Sequence, residues 1–153
     1  AADADACMAV YVDAVRNGTA RHYSTEQAMA WAPTKKLEDW LPPRLEAGRT
    51  WIGWSERRAE GFLTVTPGGH MDFFFVRPDA RPAELAGALY LRMMDWAKSQ
   101  GLTTLTTDAS HLARSFLEKR GWRVIESEAT IRHGVKLTRW KMFWVRVPGE
   151  PLR

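Results

Sequence analysis

A chain of 153 residues suits a single domain, here 1–153, and can bury about 70 % of its unfolded surface without staples. Its 45 % hydrophobic and 26 % charged content is that of a globular protein, with no apolar run near the ~18 residues of a membrane span and no basic-then-apolar leader, which argues against membrane contact. The net charge of +4 comes without a run of five like charges or a nucleic-acid signature, which argues against nucleic acid as partner, and the single Cys7 excludes an internal disulfide and predicts a reducing, cytoplasmic setting.

In chain order, apolar spacing predicts a helix over 3–16, with Ala6, Val10 and Ala14 on one face and "NG" at 17–18 ending it. "YSTEQAMAWAP" predicts a second helix, capped by Ser24 or Thr25 and stopped by Pro33. "KLEDWLPPRLEAG" reads as a helical piece interrupted by Pro42 and Pro43. The period then changes. "TWIGWSE" and "GFLTVT" predict strands joined by a charged turn at 56–60, and "PGG" turns the chain into a third strand, "HMDFFFV". Residues 82–99 predict a helix with Leu85, Ala88, Leu89, Met93 and Trp96 in one stripe and Gly101 as C-cap. "LTTLTT" reads as a buried strand, "ASHLARSFLEKRG" as a short helix burying Leu112, Phe116 and Leu117, and "WRVIESE" and "KLTRWKMFWVRV" as closing strands. Helices first, then an antiparallel meander, then strand–helix–strand–helix–strand imply a mixed sheet covered by helices. No Gly-x-Gly-x-x-Gly follows the first strand, which argues against a doubly wound dinucleotide fold.

Three stretches carry a resemblance. "DFFFVRPDARPAELAGALY" is similar to a Val-x-Pro-x-x-Arg-Gly-x-Gly-x-Gly/Ala loop and its following helix. "ASHLARSFLEKRGW" is similar to an Ala-x-x-Phe-Tyr-Glu-Lys-x-Gly-Phe stretch, and "YSTEQAMAWAP" to a bacterial variant with Tyr-Ser-x-Glu-Gln and Ala-Trp. In this order they resemble the GNAT N-acetyltransferase superfamily, in its bacterial small-molecule branch, over about residues 3–142. The resemblance implies an α/β (α+β) fold: a mixed, mostly antiparallel sheet flanked by helices, with a central strand–loop–helix cofactor site. The family has one more strand before its first helix, and that strand is expected to lie outside this sequence.

The resemblance further implies that acetyl-CoA lies against the helix start after the third strand. Spare N–H groups and the positive helix end hold its pyrophosphate there. By position the cofactor residues are Val76, Arg77, Arg81, Leu85, Ala86, Gly87 and Ala88, with Ser110, Phe116 and Lys119 from the second stretch. Arg77, Arg81, Lys119 and Arg120 are the cations at hand. Pro82 and Glu84 stand where the family has glycines, and "RPAEL" also reads as a self-sufficient helix start, with proline at the first position and glutamate in the first turn. Ser110 reads equally as an N-cap.

Acetyl transfer to an amine needs a proton acceptor, an N–H for the oxyanion and alignment. The resemblance puts the oxyanion N–H near Val76 and the base on the third strand. Period two sets His70, Asp72, Phe74 and Val76 on one face of that strand, so His70 and Asp72 are the candidate bases, against a turn histidine and a polar cross-sheet pair. An imidazole exchanges protons near neutral pH. The family's acid tyrosine is replaced by Leu117. Tyr23, Trp31 and Trp40 are the candidate amine-pocket residues, each also readable as core. His111 and His133 read as solvated, and no spacing suggests a metal. The function implied is transfer of acetyl from acetyl-CoA to a small-molecule amine. A GNAT-fold binding protein without catalysis, and an enzyme acting on a protein or tRNA amine, stay open, as does a homodimer built on "TRWKMFWVRV".

Overall fold

A computed structural model describes residues 2–18, Gln27, Met29, 37–79, 82–132 and 135–146. Tyr23, Trp31, Arg81, His133 and most of the second expected helix lie outside these residues. The helices are α1 (Ala2–Gly18), α2 (Leu41–Ala47), α3 (Pro82–Ser99) and α4 (His111–Glu118). The strands are β1 (Arg49–Ser55), β2 (Arg58–Val65), β3 (His70–Val76), β4 (Thr104–Ala109), β5 (Arg123–Arg132) and β6 (Val135–Val145). They form one sheet in the order β1-β2-β3-β4-β6-β5. Every pair is antiparallel except β3–β4, so the expected α+β fold with a mostly antiparallel sheet is what forms. No described helix is long and apolar enough to cross a membrane.

Two local expectations change. Pro42 and Pro43 do not interrupt a helix; they occupy its first turn, where a missing N–H costs nothing. The charged turn at 56–60 tightens to Glu56–Arg57 between β1 and β2, with Glu56 at φ 55°.

Each sheet face has its own core. On one face α3 and α4 bury Leu89, Tyr90, Met93 and Leu117 against Leu63, Met71, Leu105 and Met142. Each buried Leu or Met side chain contributes about 1.5–3 kcal/mol. Leu85 fits a hollow left by two glycines: a Cβ on Gly53 would fall 2.5 Å from Leu85 Cδ1, and one on Gly61 3.0 Å from its Cδ2. That hollow seats the start of α3 on β1 and β2. On the other face α1 and α2 bury Cys7, Met8, Tyr11, Val15 and Leu41 against Phe62 and Phe73. Burial, with the Asp3 charge adding to it, pushes the Cys7 thiol up to about 12, the mark of an inert core cysteine.

Candidate functional site

β3 and β4 run side by side only briefly. Pairing is confined to His70↔Thr106 and Met71↔Thr107, locked by Thr107 Oγ1 donating to Met71 O at 2.8 Å and Thr106 N–H to Gly69 O at 3.0 Å. Beyond that point Phe73–Val76 pair with β2 and Asp108–Ala109 with β6, so the strands part. Arg77 N–H bonds Glu60 O at 2.8 Å. Alternation along an antiparallel ladder therefore turns the amides of Phe74 and Val76 away from β2, into the gap. A cleft of ≈450 Å³ opens there, lined from both sheet faces.

His70 sits where the strands separate, 38 % exposed. Its Nδ1 lies 2.9 Å from Thr106 Oγ1 and its Nε2 3.8 Å from Asp108 Oδ2. The turn before it demands glycine: Gly69 has φ 95°, and a Cβ there would stand 2.9 Å from Thr104 O. Asp108 escaped the sequence reading because it lies on another strand, and only the parallel register brings it to His70.

Asp72 corrects the period-two expectation. Phe73 pairs with Thr64 but Met71 with Val65, so Asp72 is the extra residue of a bulge. Phe74 and Val76 pack on the α3/α4 core, whereas Asp72 turns to α2 and accepts two hydrogen bonds from Arg44, one of them 3.0 Å from Nε. Both oxygens of Asp72 are thus engaged by Arg44, whereas His70 meets the cleft with Nε2 3.8 Å from Asp108. The Asp72 hydrogen bond raises the Arg44 pKa against the opposing effect of burial.

The α1/α2 wall of the cleft is aromatic. Tyr11 meets Trp40 and Phe75 edge-on at 5.7 and 5.0 Å, and Trp40 lies 5.9 Å from Phe73. The Arg44 guanidinium stands 4.6 Å over Phe73 and 5.6 Å over Trp40. Trp40 thus lines the cleft, and Tyr11, which sequence reading assigned to no site, is its neighbour.

At the other end the cofactor expectations divide. Arg77 is not available to a ligand: its guanidinium bonds Asp13 at 2.9 Å and Ala59 O at 2.8 Å, and its side chain is 14 % exposed. Burial pushes the Asp13 carboxyl up, but its hydrogen bonds from Asn17 and Arg77 and the charges of Arg77 and Arg58 outweigh this and hold it below the usual range. A helix that begins at Pro82 carries Ala86, Gly87 and Ala88 N–H in its own ladder, so the spare donors are those of Ala83 and Glu84, with Leu85 at the boundary. The Glu84 side chain is exposed. Among the described residues, the cation that approaches the start of α3 is Arg120, not Lys119. Lys119 caps α4 with its backbone and is exposed. Arg120 bonds Phe116 O at 3.1 Å, lies 3.5 Å over the Phe116 ring, and is what a Cβ at Gly87 would meet, at 4.0 Å. The i, i+4 spacing of Phe116 and Arg120 was the available signal. Phe116 itself packs between Phe74 and Tyr90 at 5.3 and 5.7 Å, supporting Arg120 from below.

Ser110 caps α4, accepting from Ala113 N–H at 3.3 Å, and lines the cleft, leaving its hydroxyl hydrogen to donate. Leu117 is fully buried, so it is a core residue. His111 packs 5.5 Å from Trp140 and is half-buried, not solvated.

Comparison with known proteins gives consistent matches. A family model described as "Acetyltransferase (GNAT) domain" matches residues 19–143. The chain is 27 % identical over 134 residues to "Uncharacterized N-acetyltransferase YafP" of Escherichia coli (strain K12), covering 88 % of this chain and 84 % of that one. It is similar in structure to a GCN5-related N-acetyltransferase from Rhodopseudomonas palustris, with TM-score 0.86, 28 % identity and coverage of 95 % and 91 %. The PaiA N-acetyltransferase of Thermoplasma acidophilum, solved in complex with coenzyme A, shares the fold at TM-score 0.70 and 16 % identity, with coverage of 95 % and 94 %.

Proposed function

The chain belongs to the acetyltransferase (GNAT) family, and from that premise we propose that it transfers the acetyl group of acetyl-CoA to the primary amine of a small molecule. The observation that carries this reading is the parting of β3 from β4, with His70 at its apex and the Val76 amide facing into it. Coenzyme A in the Thermoplasma protein supports the choice of donor, and the residues present fit it: spare amides at Ala83 and Glu84, and the Arg120 guanidinium one turn on, 4.0 Å from where a Cβ on Gly87 would stand.

Acetyl-CoA, when bound, supplies an activated acyl carbon. Ala83 and Glu84 amides and Arg120 would hold its diphosphate. The Val76 N–H is aimed to meet the oxyanion that develops as the amine adds. His70 Nε2 would take the ammonium proton, its Nδ1 held by Thr106 and the Asp108 carboxylate 3.8 Å from Nε2. On attack the C–N bond would form and the C–S bond break, the electron pair leaving on sulfur and the second proton of the nitrogen passing to that thiolate or to water. A thiol with a pKa of about 8.5 departs tolerably as thiolate near neutral pH, so the loss of the family's tyrosine at Leu117 is survivable. The buried free Cys7 supports a reducing, cytoplasmic setting.

Calorimetry with acetyl-CoA, followed by thiol release over an amine panel, tests the reading. Binding with amine-dependent thiol release is expected, and His70→Gln should cut kcat by about 10²–10⁴ while acetyl-CoA affinity is kept. No heat of binding would remove the assignment; binding without thiol release from any amine would leave a binding protein.

A further inference from the structure

We infer that the acceptor is an apolar, ring-bearing primary amine with no carboxylate beside the amine; this rests on the acetyl-transfer reading above and narrows it. Three observations carry the inference. The α1/α2 wall of the cleft is built of Tyr11, Trp40, Phe73 and Phe75, whose rings meet at 5.0–5.9 Å in the pairs Tyr11–Phe75, Tyr11–Trp40 and Trp40–Phe73. Tyr11 and Phe73 are buried in the α1/α2 core, so it is the half-buried Trp40 and Phe75 that such a wall offers to an apolar or aromatic body. It also tolerates a cation, since the Arg44 guanidinium already stands 4.6 Å over Phe73.

The second observation is charge accounting. The arginines that line the cleft among the described residues are Arg44 and Arg139, and both are committed. Arg44 holds Asp72 with two hydrogen bonds, and Arg139 holds Glu128 with two, at 3.0 and 2.6 Å. Lys141, the cross-strand neighbour of Asp108, has its Nζ 3.2 Å from Glu128 and 3.7 Å from Glu126. Asp108 is therefore the cleft carboxylate that no described arginine or lysine reaches within 4 Å, although Lys141 across the ladder feels its charge. An arriving ammonium meets Asp108 and His70. A carboxylate on the next carbon would meet Asp108 and no uncommitted cation among the described residues.

The third is placement. His70 and Asp108 stand at the seam where the aromatic wall ends and the strand gap begins, so an amine drawn to Asp108 is already at the base. Like charges about 4 Å apart, between bulk water and a protein surface, weaken binding roughly fivefold to nearly a thousandfold. That sets the discrimination expected against an amino acid.

The test uses matched probes on the whole chain: 2-phenylethylamine, phenylalanine, phenylalanine amide and n-butylamine, each with acetyl-CoA in a thiol-release assay. Thermal shift with the same probes, without coenzyme, reads binding apart from catalysis. The expected order of kcat/KM puts 2-phenylethylamine at least about tenfold above phenylalanine, the amide recovering most of the difference and butylamine losing the contribution of the ring. Asp108→Asn should narrow the amine-to-amino-acid ratio toward one, and the wild-type melting temperature should rise with 2-phenylethylamine and not with phenylalanine. Equal or better turnover of phenylalanine, or an unchanged ratio in Asp108→Asn, would overturn this inference while leaving acetyl transfer standing. Thiol release from none of the four, with acetyl-CoA bound, would overturn this inference, and only silence over the wider amine panel would overturn acetyl transfer as well.

Discussion

The face of the sheet that α1 and α2 occupy has two unlike halves. Under the helices, β2 and β3 present Phe62, Phe73 and Phe75, stacked at 5.8–6.4 Å and closed over by Met8, Tyr11 and Val15. Beyond the gap, the same face of β4, β6 and β5 carries Asp108, Lys141 and Glu126 in one cross-strand row and Arg139 beside Glu128 in another. One half gains its stability from area removed from water; the other carries cross-strand charge pairs that water and salt screen and that add little. The cleft lies on the boundary, which gives it an apolar wall on one side and an ionic one on the other. A site at such a boundary takes its specificity from both halves and its rigidity from one.

That contrast can be broken by substitution, and the effects should fall in a definite order. Phe73→Ala removes a ring with 6 % exposure and should cost about 3–5 kcal/mol; thermal melting should show a fall of roughly 10 °C, and a shift within error would mean the aromatic half is loosely packed. Asp13→Asn breaks the hydrogen bond and ion pair that tie α1 to Arg77, with an expected loss of about 1.5–3 kcal/mol. Because the folded Asp13 pKa is depressed, its contribution is fully present above the unfolded carboxyl pKa of about 3.9 and fades as pH falls through the lower folded value. Wild type and variant should therefore converge in denaturant stability under acid, and a difference that grows there would contradict the sign. Gly69→Ala, at the boundary, asks alanine to hold φ 95° against Thr104 O. It should cost about 1–3 kcal/mol and lower kcat more than it raises KM, since it displaces His70. Lys141→Met, on the ionic half, should leave the melting temperature unchanged at physiological salt; a clear fall would show that the charged rows do more than keep this face in water.

The aromatic half was legible in the sequence and the ionic half was not, and the reason is range. "HMDFFFV" announces a strand, and the stripe of Ala6, Val10 and Ala14 announces the helix that covers its aromatic face, because both signals repeat within a few residues. The bulge at Asp72 leaves no mark on that pattern, yet it moves one carboxylate from the face of Phe74 to that of Arg44. Arg77 looked like a phosphate ligand by its place after the strand, but its partner Asp13 lies 64 residues away. The pairing of His70 with Asp108 depends on a two-residue parallel register that no local spacing encodes. What resemblance supplied was the loop and its order; of the four cations at hand it could not say which approach the helix start, and among the described residues Arg120 does while Arg77 and Lys119 do not.

The short β3–β4 contact has one more consequence, which isotope labelling can read. Phe74 and Val76 carry amides in the middle of a sheet that no neighbouring strand satisfies, so their hydrogens should trade for deuterium at rates foreign to their surroundings, while those of Phe73 and Phe75, one position away, stay slow. A ligand that lies down in the opening would quiet the fast pair and spare the slow one. The protein therefore carries an occupancy gauge in its own backbone, independent of any turnover.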